Sequence, residues 1–448
     1  MDTKFRDLHL HLDFASRTTA GLALLLLLLF SFNAWCQTST PAASSDTPKQ
    51  EFYSPQDRQL AIKQASIFKA ENVGEANIMA GPKQSKDLFQ FHFKDKVTCE
   101  FVEPGSKMGG NTPKFLCKIM KVESADGTVQ TLTPDMKEEP VKVKFGSDNR
   151  EVYAEIASSR LLWALGFYTD AWFPIQVTCT NCPSDPEKGS GAVGLQSYPQ
   201  ASVVRKFDGH KMYEMGNEEE GWSWKELETL NGRPSYEKDG LRLMGAFIDH
   251  SDNKPPQQRL VCHGVNMDTS AKPYKTTCKE SDMVVQDVGA TFGGGGLFTS
   301  NTTAKANLHD WSNKPVWNKG GVRADKLSAK QQPPECQAKL TKSLTAKDGL
   351  ENPTISEEGR RFTAGLLCQL SDQQIASLFK AARFAEMPEN HGKSEDAVVQ
   401  AWVTAFKQKR EDVAGARCRW HNQPADLSVI DNPAGLPTVT NYCTASPH

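Results

Sequence analysis

A change of hydrophobic period part-way along the chain limits the folds open to it. From residue 88 apolar side chains recur at every second position: Phe89, Phe91 and Phe93, the runs KVTCEFVEPG and KFLCKIMKV, then Val141 and Val143 with Lys142 and Lys144 between and after them. A period of two belongs to strands that bury one face. Beyond residue 208 the spacing becomes helical, with Leu241, Met244 and Ile248, then Ile375, Leu378, Phe379 and Ala382, then Val399, Trp402, Val403 and Phe406. These stripes are core-forming faces, and Ser371 with Gln374 is a capping box that starts one of the helices. The expected class is α+β, strands at 88–207 and helices at 208–448, with no internal repeat.

Within the first part, Gly105, Gly109 and Gly110 lie in a turn-forming stretch between two runs, which predicts a hairpin. Cys99 and Cys117 are symmetric about Met108, so a cross-strand disulfide is expected. Residues 140–145 form a strand that stops at Gly146-Ser-Asp-Asn149. Val152, Ile156 and Trp163, with Glu151 and Glu155, then recur at helical spacing up to Gly166. A further strand, WFPIQVTC, leads into Cys179-Thr-Asn-Cys182 and a Pro/Gly/Ser-rich insertion to about residue 200. Ser202–Phe207 is the last strand of this half.

The 448 residues carry 52 basic and 54 acidic side chains and a pI of about 6.6. No global field draws phosphate backbones, so nucleic acid is not an expected partner. The longest apolar run, Gly21–Phe30, follows Lys4, Arg6 and Arg17 and precedes Ala34-Trp35-Cys36, the pattern of an export signal over residues 1–36. A retained anchor is the alternative, and a membrane is a partner only in that case. Residues 37–57 are Ser-, Thr-, Pro- and Gln-rich and read as a linker, so 37–87 is a linker and extension ahead of the strands. After cleavage ten of the 11 cysteines remain, an even number suited to disulfides in an oxidising compartment, periplasmic or secreted.

The chemistry-bearing stretch is His250-Ser251-Asp252-Asn253-Lys254-Pro255-Pro256-Gln257, after a helix and before the strand Arg259–Cys262, followed later by Met283-Val-Val-Gln-Asp287-Val288-Gly289. The first resembles the H-R-D-L-K-P-x-N catalytic loop of the protein-kinase-like superfamily, and Asp287-Val288-Gly289 resembles its D-F-G turn. A strand ending in Lys144 and a helix carrying Glu155 stand upstream in the order that family requires, so the resemblance covers roughly residues 88–300. It implies a bilobal fold, a β-rich N-lobe at 88–207 and a mainly helical C-lobe at 208–448, with Mg-ATP (or Mn2+) between them. Secretory-pathway and phosphoinositide-type kinases are the branches it is similar to.

Phosphoryl transfer needs positioning and charge neutralisation more than covalent help. On the resemblance, Lys144 would meet the nucleotide phosphates and Glu155 would hold it, with Lys142 and Glu151 as next choices. Lys142 and Lys144 share a strand face, so alternation does not separate them. Asp252 would accept the proton of a hydroxyl-bearing acceptor, which nothing in the sequence identifies, and Lys254 would steady the transferring oxygens. Asp287 would bind the metal, with Gln257 where the family has Asn. Ser251 replaces the family's Arg, which removes the partner of a phosphorylated activation loop. Gly105, Gly109 and Gly110 would cover phosphates, although they do not spell G-x-G-x-x-G.

Other readings stand beside these. His250 is expected to pack in the core. Gly293–Gly296 read as a flexible loop, since no G-K-[ST] follows. Cys179, Cys182, Cys262 and Cys278 could form a four-thiolate zinc site, but disulfides are favoured in an exported chain. A Cys262–Cys278 bridge would stiffen the link between Asp252 and Asp287; the pairing of Cys336, Cys368, Cys418 and Cys443 is not deducible. Asn301-Thr302-Thr303 is a glycosylation sequon. No H-E-x-x-H, G-x-S-x-G or dinucleotide fingerprint is present. The expected activity is an exported atypical kinase that moves the γ-phosphoryl of ATP to a hydroxyl; a turnover-free pseudokinase scaffold and a nucleotidyl transferase on the same fold are the alternatives.

Overall fold

The computed structural model describes residues 52–434, apart from short stretches at 85–86, 106–107, 111, 135, 137–138, 215–220, 269, 271–274, 295–304, 329–330 and 423–424. The expected signal segment, the sequon, Cys36 and Cys443 lie outside the described residues. Part of the stretch read as a linker, from residue 52, carries regular structure. Pro55–Gln64 is helix α1, because Ser54 accepts from the Asp57 N–H and Pro55 at the first turn has no N–H to satisfy. Tyr53, Ile62, Ile67 and Phe68 are buried in the larger core.

The alternating segments form strands β1 (Asp95–Val102), β2 (Lys114–Glu123) and β3 (Val141–Phe145), then helix α2 (Glu151–Ala164), then β4 (Ala171–Asp185) and β5 (Ser190–Arg205). Their order across the sheet is β1-β4-β5-β3-β2, with the short strand Val129–Thr131 beyond β2. β2 also pairs with β1, so the five strands close into a barrel. Closure leaves these strands no long free edge. β1 and β4 run parallel, Asp95 to Glu100 against Ile175 to Thr180; the other neighbours are antiparallel.

Period-two alternation fills the barrel: Val97 and Cys99, Phe115, Cys117 and Ile119, Val141 and Val143, Phe173, Ile175, Val177 and Cys179, Ala201 and Val203 are one buried cluster. The residues expected to be an irregular insertion are instead the outer half of the β4–β5 hairpin. That arm is exposed on both faces at Ser190–Leu195, so burial imposed no apolar alternation there. The Cys99–Cys117 bridge forms, but diagonally: Cys99 faces Ile119 and Cys117 faces Phe101, after a bulge at Thr98/Cys99.

The larger core gathers helices α2, α3 (Ser235–Phe247), α4 (Glu357–Cys368), α5 (Asp372–Ala381) and α6 (Glu395–Gly415) around the hairpin of β6 (Gln258–Asp268) and β7 (Lys275–Val285). The capping box at Ser371/Gln374 is present. α2 is buried on nearly every side, packed between the barrel's outer face and α5, which places its glutamates away from water. Arg383, in a left-handed conformation after α5, donates to the carbonyls of Ile175, Pro199 and Ala201 and so ties the helical part to the barrel. Disulfides Cys179–Cys182, Cys262–Cys278 and Cys336–Cys418 are formed, and Cys368 is also disulfide-bonded. These pairs are compatible with an extracellular setting. Among the described residues no helix is long and apolar enough to cross a membrane.

Glu237 on α3 is 8% exposed, and among the described residues its Oε2 has no hydrogen-bond partner. Burial pushes its carboxyl up to about 7, against a smaller downward pull from Arg233. A carboxyl whose folded value is raised contributes stability that falls as pH climbs from its unfolded value through its folded one. Glu237→Gln is expected to raise the melting temperature at pH 8 and leave it nearly unchanged at pH 5. A shift equal at both pH values would contradict the assignment.

Candidate active site

Lys144 follows Lys142 as the second outward-facing residue of β3, and it is 2% exposed. α2 starts seven residues later, because Gly146 at φ +108° turns the chain and the Asn149 side chain donates to the Phe145 carbonyl. One helical turn separates Glu151 from Glu155, so both project toward the strand. Lys144 Nζ lies 2.8 Å from Glu155 Oε1, 3.1 Å from Glu151 Oε2 and 3.2 Å from Asp287 Oδ1. Its ring neighbour is Trp172, 5.2 Å from Nζ to the centroid.

Asp287 follows β7. Its N–H donates to the Gln257 carbonyl at 3.2 Å, while the Ser251 N–H donates to the Ala290 carbonyl at 3.0 Å. The loop 251–257 and the segment 287–290 are therefore laced together at both ends, with Asp252 between the ties. Asn253 fixes the loop: its side chain donates to the His250 and Leu350 carbonyls and accepts from the Leu350 N–H, while Trp224 Nε1 donates to its carbonyl at 2.7 Å. Asp252 is 28% exposed, paired with Lys254 at 2.9 Å, and accepts from Gln257 Nε2 at 3.1 Å. Gln257 thus gives its amide nitrogen to Asp252, and it is its backbone carbonyl that meets the Asp287 N–H. His250 is 1% exposed and held below its ordinary value by burial, a core histidine.

Gly289 has a steric reason. A Cβ there would sit 3.0 Å from side-chain carbons of Glu151 and Glu155, so only glycine lets α2 approach this closely. Thr291 completes the seam, sharing a hydrogen bond with Ser158 of α2 at 2.7 Å. The glycine turn is only partly in contact with the cluster. Gly110 needs its φ of +82° and lies against Lys114, whereas side chains built at Gly105 or Gly109 would meet nothing.

Several cluster members carry no signal that spacing could reveal. Thr112 donates to Glu151 at 2.5 Å, and Lys305 pairs with the other oxygen of Glu151. Lys114 reaches only the Thr112 carbonyl, and Lys142 lies over Trp172. Among the described residues neither lysine has an ion pair. Burial, then the neighbouring ammonium charges, lowers both, Lys142 to about 8. Burial pulls Lys144 down as well, but Asp287, Glu155 and Glu151 raise it well above the usual lysine value. Burial pushes the Asp287 carboxyl up, yet Lys144 and Lys142 hold it well below the carboxylate range. Glu155 is raised by burial and by the Asp287 charge, against the pull of Lys144. The cluster thus sets an ionised, 29%-exposed carboxylate near two lysines that, among the described residues, form no ion pair of their own.

No family model and no curated protein matches the chain. Among solved structures, a Helicobacter pylori proinflammatory kinase, CtkA, aligns with a TM-score of 0.29 and 11% identity over 70% of this chain and 98% of its own. At that score the likeness bears no weight on fold or activity.

Removing the Lys144 charge would leave Glu155 and Asp287 buried beside each other without a cation. Lys144→Met is expected to destabilise the protein by about 3–5 kcal/mol in urea unfolding. Adding Glu155→Gln should recover part of that loss; a Lys144→Met variant as stable as the parent would contradict the pairing.

Proposed function

We propose that the chain is an exported atypical kinase-like phosphotransferase, moving the γ-phosphoryl of a metal-bound ATP to a hydroxyl acceptor. The observation that carries the reading is the single position of Lys144, in contact with Glu155 and Asp287 at once, with the Asp252 loop laced to the Asp287 segment. In this reading the barrel with α2 is an N-lobe, the helical part a C-lobe, and the cluster lies between them. Lys144, with Lys142 and Lys114, would receive the phosphates; among the described residues the latter two form no ion pair that the phosphates would have to displace. Asp287 and the Gln257 oxygen are hard donors suited to Mg2+ or Mn2+, which would neutralise the transferring phosphate. Asp252, oriented by Lys254 and Gln257, would accept the hydroxyl proton. The N–H groups of the Gly105–Gly110 turn would cover the phosphates. The five disulfide-bonded pairs implied by ten mature cysteines, four of them described, favour export over a reducing compartment.

Thermal unfolding tests the binding step. ATP with Mg2+ or Mn2+ is expected to raise the melting temperature, and Asp287→Ala to remove the metal-dependent part. No shift with any nucleotide or metal would favour a binding scaffold that has no turnover. The lysines add a pH signature. Lys142 loses its proton above about pH 8, so nucleotide affinity should fall there, and Lys142→Arg should keep it flat to higher pH. An affinity unchanged between pH 7 and 9 would remove Lys142 from the phosphate site.

A further inference from the structure

Among the described residues, a group of potential metal ligands apart from the Lys144 cluster lies inside the barrel. The sulfurs of Cys99, Cys117 and Cys179 are all buried and all within 4.8 Å of one another. They come from three neighbouring strands: Cys99 on central β1, its register partner Cys179 on parallel β4, and Cys117 on antiparallel β2. Flat strands would hold the outer two about 9–10 Å apart. Barrel closure folds the row into a cluster. Cys182, fully buried and bonded to Cys179, adds a fourth sulfur, with the Tyr198 hydroxyl 4.0 Å from it.

Three sulfurs form the group within 4.8 Å, with no carboxylate or imidazole in it, and the fourth, Cys182, joins them through its bond to Cys179, so a hairpin pair stands beside a Cys-x-x-Cys pair. Soft thiolates of this kind select zinc-class cations, and Zn–S bonds of about 2.3 Å place tetrahedral sulfurs about 3.8 Å apart. The sequence joined Cys179 and Cys182 to Cys262 and Cys278 as zinc partners. The last two are instead bonded to each other across the β6–β7 hairpin, and Cys99 and Cys117 take their place beside the Cys-x-x-Cys.

We propose that Cys99, Cys117, Cys179 and Cys182 form a four-thiolate site for a zinc-class cation in the reduced chain, and that their two disulfides are its metal-free oxidised form. Conversion takes two equivalents of a dithiol reductant. Each opens one S–S bond, leaving two protein thiols and one oxidised reductant. Zinc then displaces four thiol protons and is itself neither oxidised nor reduced. The barrel core thereby keeps a cross-link in either redox state.

The test uses the full chain, reduced with a thiol-free phosphine and titrated anaerobically with Co2+ and then Zn2+. One cation per chain, with thiolate-to-cobalt charge-transfer absorption that zinc displaces, is expected. Cys182→Ser should weaken binding at least tenfold, while the Cys262→Ser/Cys278→Ser double variant should leave it unchanged. If the reduced chain loses circular dichroism, zinc is expected to restore it. The proposal is overturned if reduced, folded protein takes up no cation, if zinc fails to restore a reduced, unfolded chain, or if the signature survives Cys99→Ser combined with Cys179→Ser.

Discussion

A lysine ammonium withdrawn from water must be met by carboxylates, and the way Lys144 is met organises much of this molecule. Its three carboxylate partners come from two places in the chain: α2 supplies Glu151 and Glu155, and the segment after β7 supplies Asp287. Breaking a buried pair of this kind is strongly destabilising, so the contact fixes the distance between barrel, helix and hairpin as firmly as apolar packing does. Gly289 is small because α2 must come close enough for those glutamates to reach the strand. The same contact leaves Asp287 29% exposed, with Lys142 close enough to help hold its carboxyl ionised.

The rigidity around the site has several sources. Barrel closure through β1–β2 and β1–β4 holds β3 in place, and Arg383 ties the barrel's carbonyls to the helical part. Asn253 and Trp224 hold the Asp252 loop. The Cys262–Cys278 bridge spans the hairpin that separates Asp252 from Asp287 in sequence. A site assembled this way reaches its geometry before any ligand arrives, which is the condition for catalysis by positioning.

Much of this was legible in the sequence because local physics set it. Alternation marked the barrel strands whose inner face is buried, helical stripes marked α3, α5 and α6, and the D-N-K-P and D-V-G segments brought their order with them. Illegible features depended on closure in three dimensions. The parallel β1–β4 pairing joins segments far apart in the chain, and no periodicity announces it. The outer β4–β5 arm escaped because solvent on both faces imposes no pattern. Lys142 and Lys144 looked equivalent by alternation; only the position of α2 sets Lys144 against the glutamates and leaves Lys142 over Trp172. Thr112 and Lys305 reach the cluster from bends, where spacing carries no information, and Lys114 from the first position of β2.

The most direct test of the central claim is to identify the nucleotide product when purified, oxidised protein is incubated with ATP and Mg2+ and compared with Asp252→Asn. The arrangement predicts ADP, at a rate that falls steeply in Asp252→Asn while nucleotide binding persists, because Asp252 would take a proton and not hold the phosphates. AMP with pyrophosphate would contradict γ-phosphoryl transfer and place a nucleotidyl transferase on this scaffold. ADP formation unchanged in Asp252→Asn would remove Asp252 from the chemistry.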